Sequence, residues 1–386
     1  MAATRLSRAE WLSTDRVRIA LNLLYLIPGV VGGTETYARS LITAFGRMDD
    51  DNEYTVFVNR ESAELEITPG ANFKRVVCPV IAMQRAMRYG WEQAVLPVQL
   101  RQLRPDVVHS LGYVGPIASG RPQVVSVHDV NYLGHSGRRT PIGRRAFQFF
   151  VERTVKHANH VITISRFSRG EIVRHLGVPE EKISVIYCAA REPRPGETRL
   201  PGSEVTRNVS QPFMIAFSSL SAHKNIARLI EAFARVSGEL PHSLVLVGHM
   251  PEKSAEVRAA LEQAGDNRIH FTGFIPEDDV DALMRRASLF VFPSLYEGFG
   301  LPILDAQQAG VPIACSNVAA LPEVAGEGAI LFDPLSVDDM AAKLKRALLD
   351  VDLRESLIEK GRVNALSFSW DKAARETMAI YKNVAS

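Results

Sequence analysis

The chain has 386 residues, with 45 Lys and Arg against 43 Asp and Glu, a formal net charge of +2, and 46% hydrophobic residues. At about 100–200 residues per domain this predicts two domains or one large one, with apolar sequence enough for two cores. The balance excludes a globally basic nucleic-acid binder, an acidic tail protein and a disordered chain. Its three cysteines, Cys78, Cys188 and Cys315, are too few and too far apart for a disulfide framework or a zinc site, and point to a reducing compartment.

In chain order, residues 1–16 are polar and lack the apolar core of a signal peptide. No apolar run reaches the ~18 residues of a membrane span. From there, short β-branched runs at 18–26, 54–59, 74–80, 107–111, 124–128, 161–164 and 183–187 predict strands buried on both faces. Helical periodicity lies between them at 35–45, 84–103 and 144–158, the alternation of βαβ units and an α/β sheet. Gly32-Gly33-Thr34-Glu35 is a glycine turn at the start of the first helix, and His128 and Asp129 close a strand. Arg138, Arg139, Arg144 and Arg145 are followed by Phe147, Phe149 and Phe150. That segment reads either as a contact for an anionic membrane or lipid-diphosphate acceptor, or as a solvated helix start over a buried Phe stripe.

The Pro- and Gly-rich stretch 191–211 predicts a linker. A second alternation follows, with strands at 213–218, 243–248, 269–274, 289–293, 312–315 and 329–332. The expected domains are therefore 17–190 and 212–368, with a C-terminal helix over 369–386. Glu277-Asp278-Asp279-Val280-Asp281 follows Pro276 and reads as an acidic first helical turn rather than a metal motif. Ser336 starts the helix through Leu349 with a box-like cap. In residues 293–306, PSLYEGFGLPILDA, a strand runs into a glycine turn and Pro302 suits a helix start. The N–H groups of Phe299, Gly300 and Leu301 would form an anion site, with Glu297 and Asp305 as acceptors for hydroxyls.

This last stretch, continued by Gly310-Val311-Pro312 and residues 317–324 (NVAALPEV), closely resembles the retaining glycosyltransferases of family 4. The resemblance covers nearly the whole chain after Arg16. It implies an α/β fold of the GT-B class, two Rossmann-like doubly wound domains facing across a cleft, with an acceptor-side N-terminal domain and a final helix that crosses back to it. It implies a nucleotide-sugar donor as substrate, no cofactor and no metal. In the family two Glu stand eight positions apart; here they are Glu297, on the transferred sugar or its phosphate side, and Asp305, one methylene shorter, at the ribose position. Gly32 and Gly33 match the loop that approaches the donor phosphates, and His128 the histidine beside the donor sugar, with Asp129 to orient it or face the acceptor. Residues 161–169 (VITISRFSR) also match, with Ser165 at a strand end.

Residues 217–225 (FSSLSAHKN) resemble the basic phosphate loop. Lys224 is its usual lysine, while Ser219 and His223 stand where arginine is common. Gly273, Phe274 and Ile275 resemble the loop that reads the nucleobase, and the usual Pro-Asn-Gly turn is replaced by residues 187–190 (YCAA). Gly298, Phe299, Gly300 and Leu301 complete the donor set, and His128, Asp129, Lys224 and Glu297 the catalytic one. Residues 91–93 (WEQ) and 106–112 (DVVHSLG) resemble a bacterial subgroup of mannosyltransferases in polysaccharide assembly, which favours GDP-mannose over a UDP-sugar and implies a saccharide or lipid-linked acceptor. With no nucleophile in the matched motifs, the expected route is front-face transfer with retention. The implied location is cytoplasmic, with possible peripheral contact at the inner membrane face. A phosphorylase or epimerase on the same fold, and a non-catalytic sugar-nucleotide-binding scaffold, are the alternatives.

Overall fold

A computed structural model describes residues 16–133, 140–191, 209–252 and 254–386. Arg138, Arg139 and most of the expected linker lie outside those residues. Among the described residues there are two parallel sheets. The first contains β1 (Arg18–Asn22), β2 (Glu53–Val58), β3 (Phe73–Val77), β4 (Val107–Ser110), β5 (Gln123–Ser126), β6 (His160–Thr163) and β7 (Ile183–Val185) in the order β3-β2-β1-β4-β5-β6-β7. The second contains β8 (Phe213–Phe217), β9 (Ser243–Val247), β10 (Ile269–Phe271), β11 (Leu289–Phe292), β12 (Ile313–Ser316) and β13 (Ile330–Phe332) in the order β10-β9-β8-β11-β12-β13. Both orders are doubly wound, reversing direction beside the first strand of the set.

The helices between them are α1 (Gly33–Met48), α2 (Arg85–Ala94), α3 (Leu96–Leu103), α4 (Pro141–His157), α5 (Arg166–Leu176), α6 (Ile226–Ser237), α7 (Ala255–Ala264), α8 (Glu277–Arg286), α9 (Leu301–Ala309), α10 (Leu321–Ala325), α11 (Val337–Leu349), α12 (Val351–Ala365) and α13 (Trp370–Ala385). The described residues form two compact units: those within 1–126, 153–161 and 374–386 make one, and those within 127–152 and 162–373 the other.

The first unit's core packs Ala20, Phe57 and Val108 of the sheet against Leu96 and Leu100 of α3. His109, fully buried, holds Tyr381 of α13 through Nδ1 at 2.6 Å and Ser126 Oγ through Nε2 at 2.8 Å. In the second unit, α6 buries Ile226, Leu229, Ile230, Phe233 and Val236, a spacing that puts one apolar stripe onto β8 and β9. Each such side chain contributes about 1.5–3 kcal/mol on burial.

The structure departs from the expected elements in four places. The helix expected over 84–103 is broken into α2 and α3, because Pro97 sits in the first turn of a new helix and cannot donate within a continuous one. The strands β3 and β10 are half-exposed rather than buried on both faces, since each is the edge of its sheet. The expected Phe stripe is buried only at Phe147; Phe149 is exposed. Ser336 caps α11 as expected, its Oγ accepting from Asp339 N, but Asp339 turns to accept from Asp333 N instead of closing the box.

Candidate active site

The glycine loop after β11 is fixed from several sides, all within the second unit. Gly298 packs so tightly that a Cβ there would stand 2.7 Å from Asp129 Cβ and 2.9 Å from the His128 carbonyl oxygen. Its own carbonyl accepts from Ser165 Oγ at 2.6 Å and Ser168 Oγ at 3.0 Å, while Ser165 also caps α5 by accepting from Ser168 N. Gly300 is the N-cap of α9 with φ of 107°, a left-handed conformation that favours glycine. The amides of Phe299, Gly300 and Leu301 therefore lead into this helix, where Pro302 has no N–H and Ile303 N already donates to the Gly300 carbonyl at 2.9 Å. Phe299 is buried, its ring centroid 6.2 Å from that of Tyr187 and 6.0 Å from that of Phe368.

The residues expected to form the phosphate loop meet this glycine loop. A short turn, Ala222–Lys224, follows β8, and Leu295 N donates to the His223 carbonyl at 2.7 Å. That bond brings Lys224 Nζ to 2.6 Å from Glu297 Oε1 and 5.0 Å from the centroid of the Phe292 ring. Both side chains keep about a fifth of their surface exposed. The pair is thus a cation on an apolar ring, held by one carboxylate and still open to water. Ser219 Oγ accepts from Ser221 N at 3.2 Å, so this residue stabilises its own loop.

His128 lies two residues beyond the end of β5 and is 4% exposed. Burial pushes its pKa down to about 3, so the ring is a neutral imidazole at neutral pH. Asp129 Oδ1 accepts from Asn131 N at 3.1 Å. Around the nucleobase-type loop, Gly248 N donates to the Gly273 carbonyl at 3.1 Å, Ile275 is buried and Phe274 is 78% exposed. Gly32 and Gly33, at the start of α1, belong to the other unit.

Asp305 has company that its motif did not announce. Its Oδ1 accepts from Arg191 N at 2.8 Å, and the Arg191 guanidinium pairs with Asp281 and with Glu277, the latter at 3.6 Å. Burial, reinforced by the charges of Asp281 and Glu277 against the pull of the Arg191 amide, raises the Asp305 pKa to about 6. A small cavity of about 50 Å³ lies against Arg191, Phe217, Asp281, Met284, Asp305 and Gln308. Glu323 was likewise silent. It caps α5 by accepting from Arg166 N at 2.8 Å and Phe167 N at 3.2 Å, and it accepts from the Tyr187 hydroxyl at 2.8 Å. Its partners stand more than 130 positions away, so only the motif at 317–324 marked the place.

Residues 31–191 match the family described as Glycosyltransferase Family 4, and residues 203–364 match Glycosyl transferases group 1. O-antigen chain mannosyltransferase B of Escherichia coli is 28% identical over 367 residues, 88% of this chain and 96% of the relative. MMP alpha-(1->4)-mannosyltransferase of Mycolicibacterium hassiacum is 29% identical over 299 residues, 72% of this chain and 70% of the relative. The structure of HepE from Anabaena in complex with UDP and glucose resembles the fold with a TM-score of 0.69 at 18% identity, covering 95% of this chain and all of that one.

Proposed function

We propose that this chain, a GT-B glycosyltransferase with a family 4 segment followed by a group 1 segment, transfers mannose from GDP-mannose, with retention and without a metal, to a saccharide or lipid-linked saccharide acceptor in cell-surface polysaccharide assembly. The observation that carries this reading is the Lys224–Glu297 pair beside the N-terminus of α9. A cation about a fifth exposed and a set of helix-start amides suit a departing nucleoside diphosphate. The two mannosyltransferase relatives support the choice of sugar.

In the transfer, the bond from the anomeric carbon to the diphosphate oxygen breaks as the acceptor oxygen bonds to the same face. The acceptor proton passes to the departing phosphate oxygen, so no enzyme nucleophile is needed. Lys224 and the amides of the glycine loop take up the charge that develops. His128, neutral, orients a sugar hydroxyl rather than delivering a proton. Among the described residues no helix is long and apolar enough to cross a membrane. Exposed Ile142 and Phe149 on α4, with exposed Arg144 and Arg145, suit peripheral contact with an anionic bilayer. Arg144→Ser with Arg145→Ser should lower sedimentation with anionic vesicles, and unchanged sedimentation would remove this contact from the reading.

Calorimetry with GDP, UDP and ADP and their common sugars, each with and without chelator, tests the central claim. Saturable binding of GDP-mannose that chelator leaves intact, followed by an NMR assignment of the same anomeric configuration in donor and product, is the expected result. Preference for a UDP-sugar overturns the donor. Binding without turnover, across acceptors, leaves a scaffold.

A further inference from the structure

The short helix α2 is turned inside out. Its buried residues are Arg88, Tyr89 and Glu92, while Met87 on the same helix is 44% exposed. Arg88 is 8% exposed and Glu92 1%. A helix that packed for stability alone would bury the methionine and leave the charges in water. The two charges are also poorly compensated. Arg88 Nε stands 3.7 Å from Glu92 Oε2, too far for a hydrogen bond, and neither atom has a hydrogen-bond partner among the described residues. The guanidinium rests on the Tyr89 ring, 4.7 Å from its centroid.

The place of this pair in the sheet is specific. Glu92 Oε1 accepts from Asn22 Nδ2 at 3.4 Å, and the same nitrogen donates to Ser110 Oγ at 3.2 Å. Asn22 is the last residue of β1 and Ser110 the last of β4, and the two are register partners. β1 is the strand where the sheet order reverses, with β2 on one side and β4 on the other. The carboxyl edge at such a reversal is where doubly wound sheets take their ligands.

We propose that Arg88 is an acceptor-binding residue and that Glu92, tied to Asn22, is the residue that positions it. The assignment rests on the transferase reading above. The diphosphate-binding groups, Lys224 and the amides of α9, belong to the second unit; Arg88 and Glu92 belong to the first, and the first sheet's edge is left for the second substrate. The ligand chemistry follows from the pair itself. A carboxyl group already faces the guanidinium at 3.7 Å, so an anion would have to compete with it there; burial raises the Glu92 pKa and the Arg88 charge opposes that rise. The pair offers a planar, pre-oriented donor beside an aromatic ring, which suits the lone pairs of a neutral polyol such as a sugar hydroxyl or ring oxygen.

The test uses the full chain, the donor that calorimetry selects and a panel of mannose-terminated oligosaccharides. Acceptor KM, donor KM, donor hydrolysis without acceptor and Tm are read in parallel. Arg88→Lys should raise acceptor KM about tenfold or more, and Glu92→Gln should raise it less, with donor KM and donor hydrolysis within about twofold of wild type. The double variant Arg88→Met with Glu92→Leu removes both charges, leaves none buried alone and should keep the fold while losing transfer. Unchanged acceptor KM in these variants overturns the assignment. Donor hydrolysis and transfer that fall together, with Tm, also overturn it and make the pair structural. A wild-type protein that binds donor but transfers to no acceptor overturns the transferase reading, and this assignment with it.

Discussion

The two sheets share a parallel, doubly wound strand order, yet their carboxyl edges carry opposite designs for a cation. In the second unit Lys224 is a fifth exposed, hydrogen-bonded at 2.6 Å to Glu297 and placed next to helix-start amides. In the first unit Arg88 is nearly sealed and 3.7 Å from a carboxylate more deeply buried than itself. The shared topology fixes where ligands go. The side chains would decide which ligand: on the proposed reading a partly exposed cation beside helix-start amides takes a diphosphate, and a nearly sealed guanidinium beside a carboxyl group takes hydroxyls.

Lys224→Ala should give the largest effect, a fall in turnover of ~10²-fold from loss of leaving-group stabilisation. Acceptor KM should stay near wild type, in contrast with the Arg88 variants; wild-type turnover would break the comparison at its stronger end. Gly298→Ala comes next. The added methyl meets Asp129 Cβ and the His128 backbone, so the loop must move, at a cost of about 1–3 kcal/mol. Activity should fall by tenfold or more, and a crystal structure of the variant should show the loop displaced.

A smaller effect tests the acidic cluster. The Asp305 pKa of about 6 lies above the ordinary carboxylate value. Folding is therefore favoured by the protonated form, a contribution present below about pH 4 and lost as pH rises through 6. Asp305→Asn, which keeps an acceptor for Arg191 N, should raise stability above pH 6 by about 1 kcal/mol and change nothing near pH 4, as read from Tm across that range. A variant that loses donor affinity without any such pH pattern would support the ribose position expected for Asp305. The smallest effect falls on the first unit. Tyr381→Phe leaves His109 Nδ1 without its partner and should cost about 1–2 kcal/mol of stability with donor and acceptor KM unchanged. That outcome separates an ordinary buried hydrogen bond from the Arg88–Glu92 pair.

Much of the second unit was legible because its signals are local. The strand, the glycine turn and Pro302 occupy adjacent positions, so residues 293–306 announce a loop feeding a helix start before any partner is known. The same holds for the acidic first turn of α8 and the cap at Ser336. The break between α2 and α3 is hard to read locally, because a continuous apolar period runs through Val95 and only Pro97 marks the restart. Asp305 was readable as a carboxylate at the right spacing, while its partner Arg191 stands 114 positions away and follows no pattern. Arg88 and Glu92 carry no mark of burial, since charges at i and i+4 on a helix ordinarily form a solvated pair.

The sequence by itself determined the alternation of strands and helices and the glycine turn that feeds α9, because hydrophobic period and turn chemistry act over a few residues. Tertiary structure decided which charges were sealed from water and which stayed open. It set His128 neutral, lifted the Asp305 pKa, joined Lys224 to Glu297 and buried Arg88 over Tyr89. The reason is physical: ionisation and hydrogen-bond strength depend on the dielectric and partners that distant segments bring, and no local pattern encodes them.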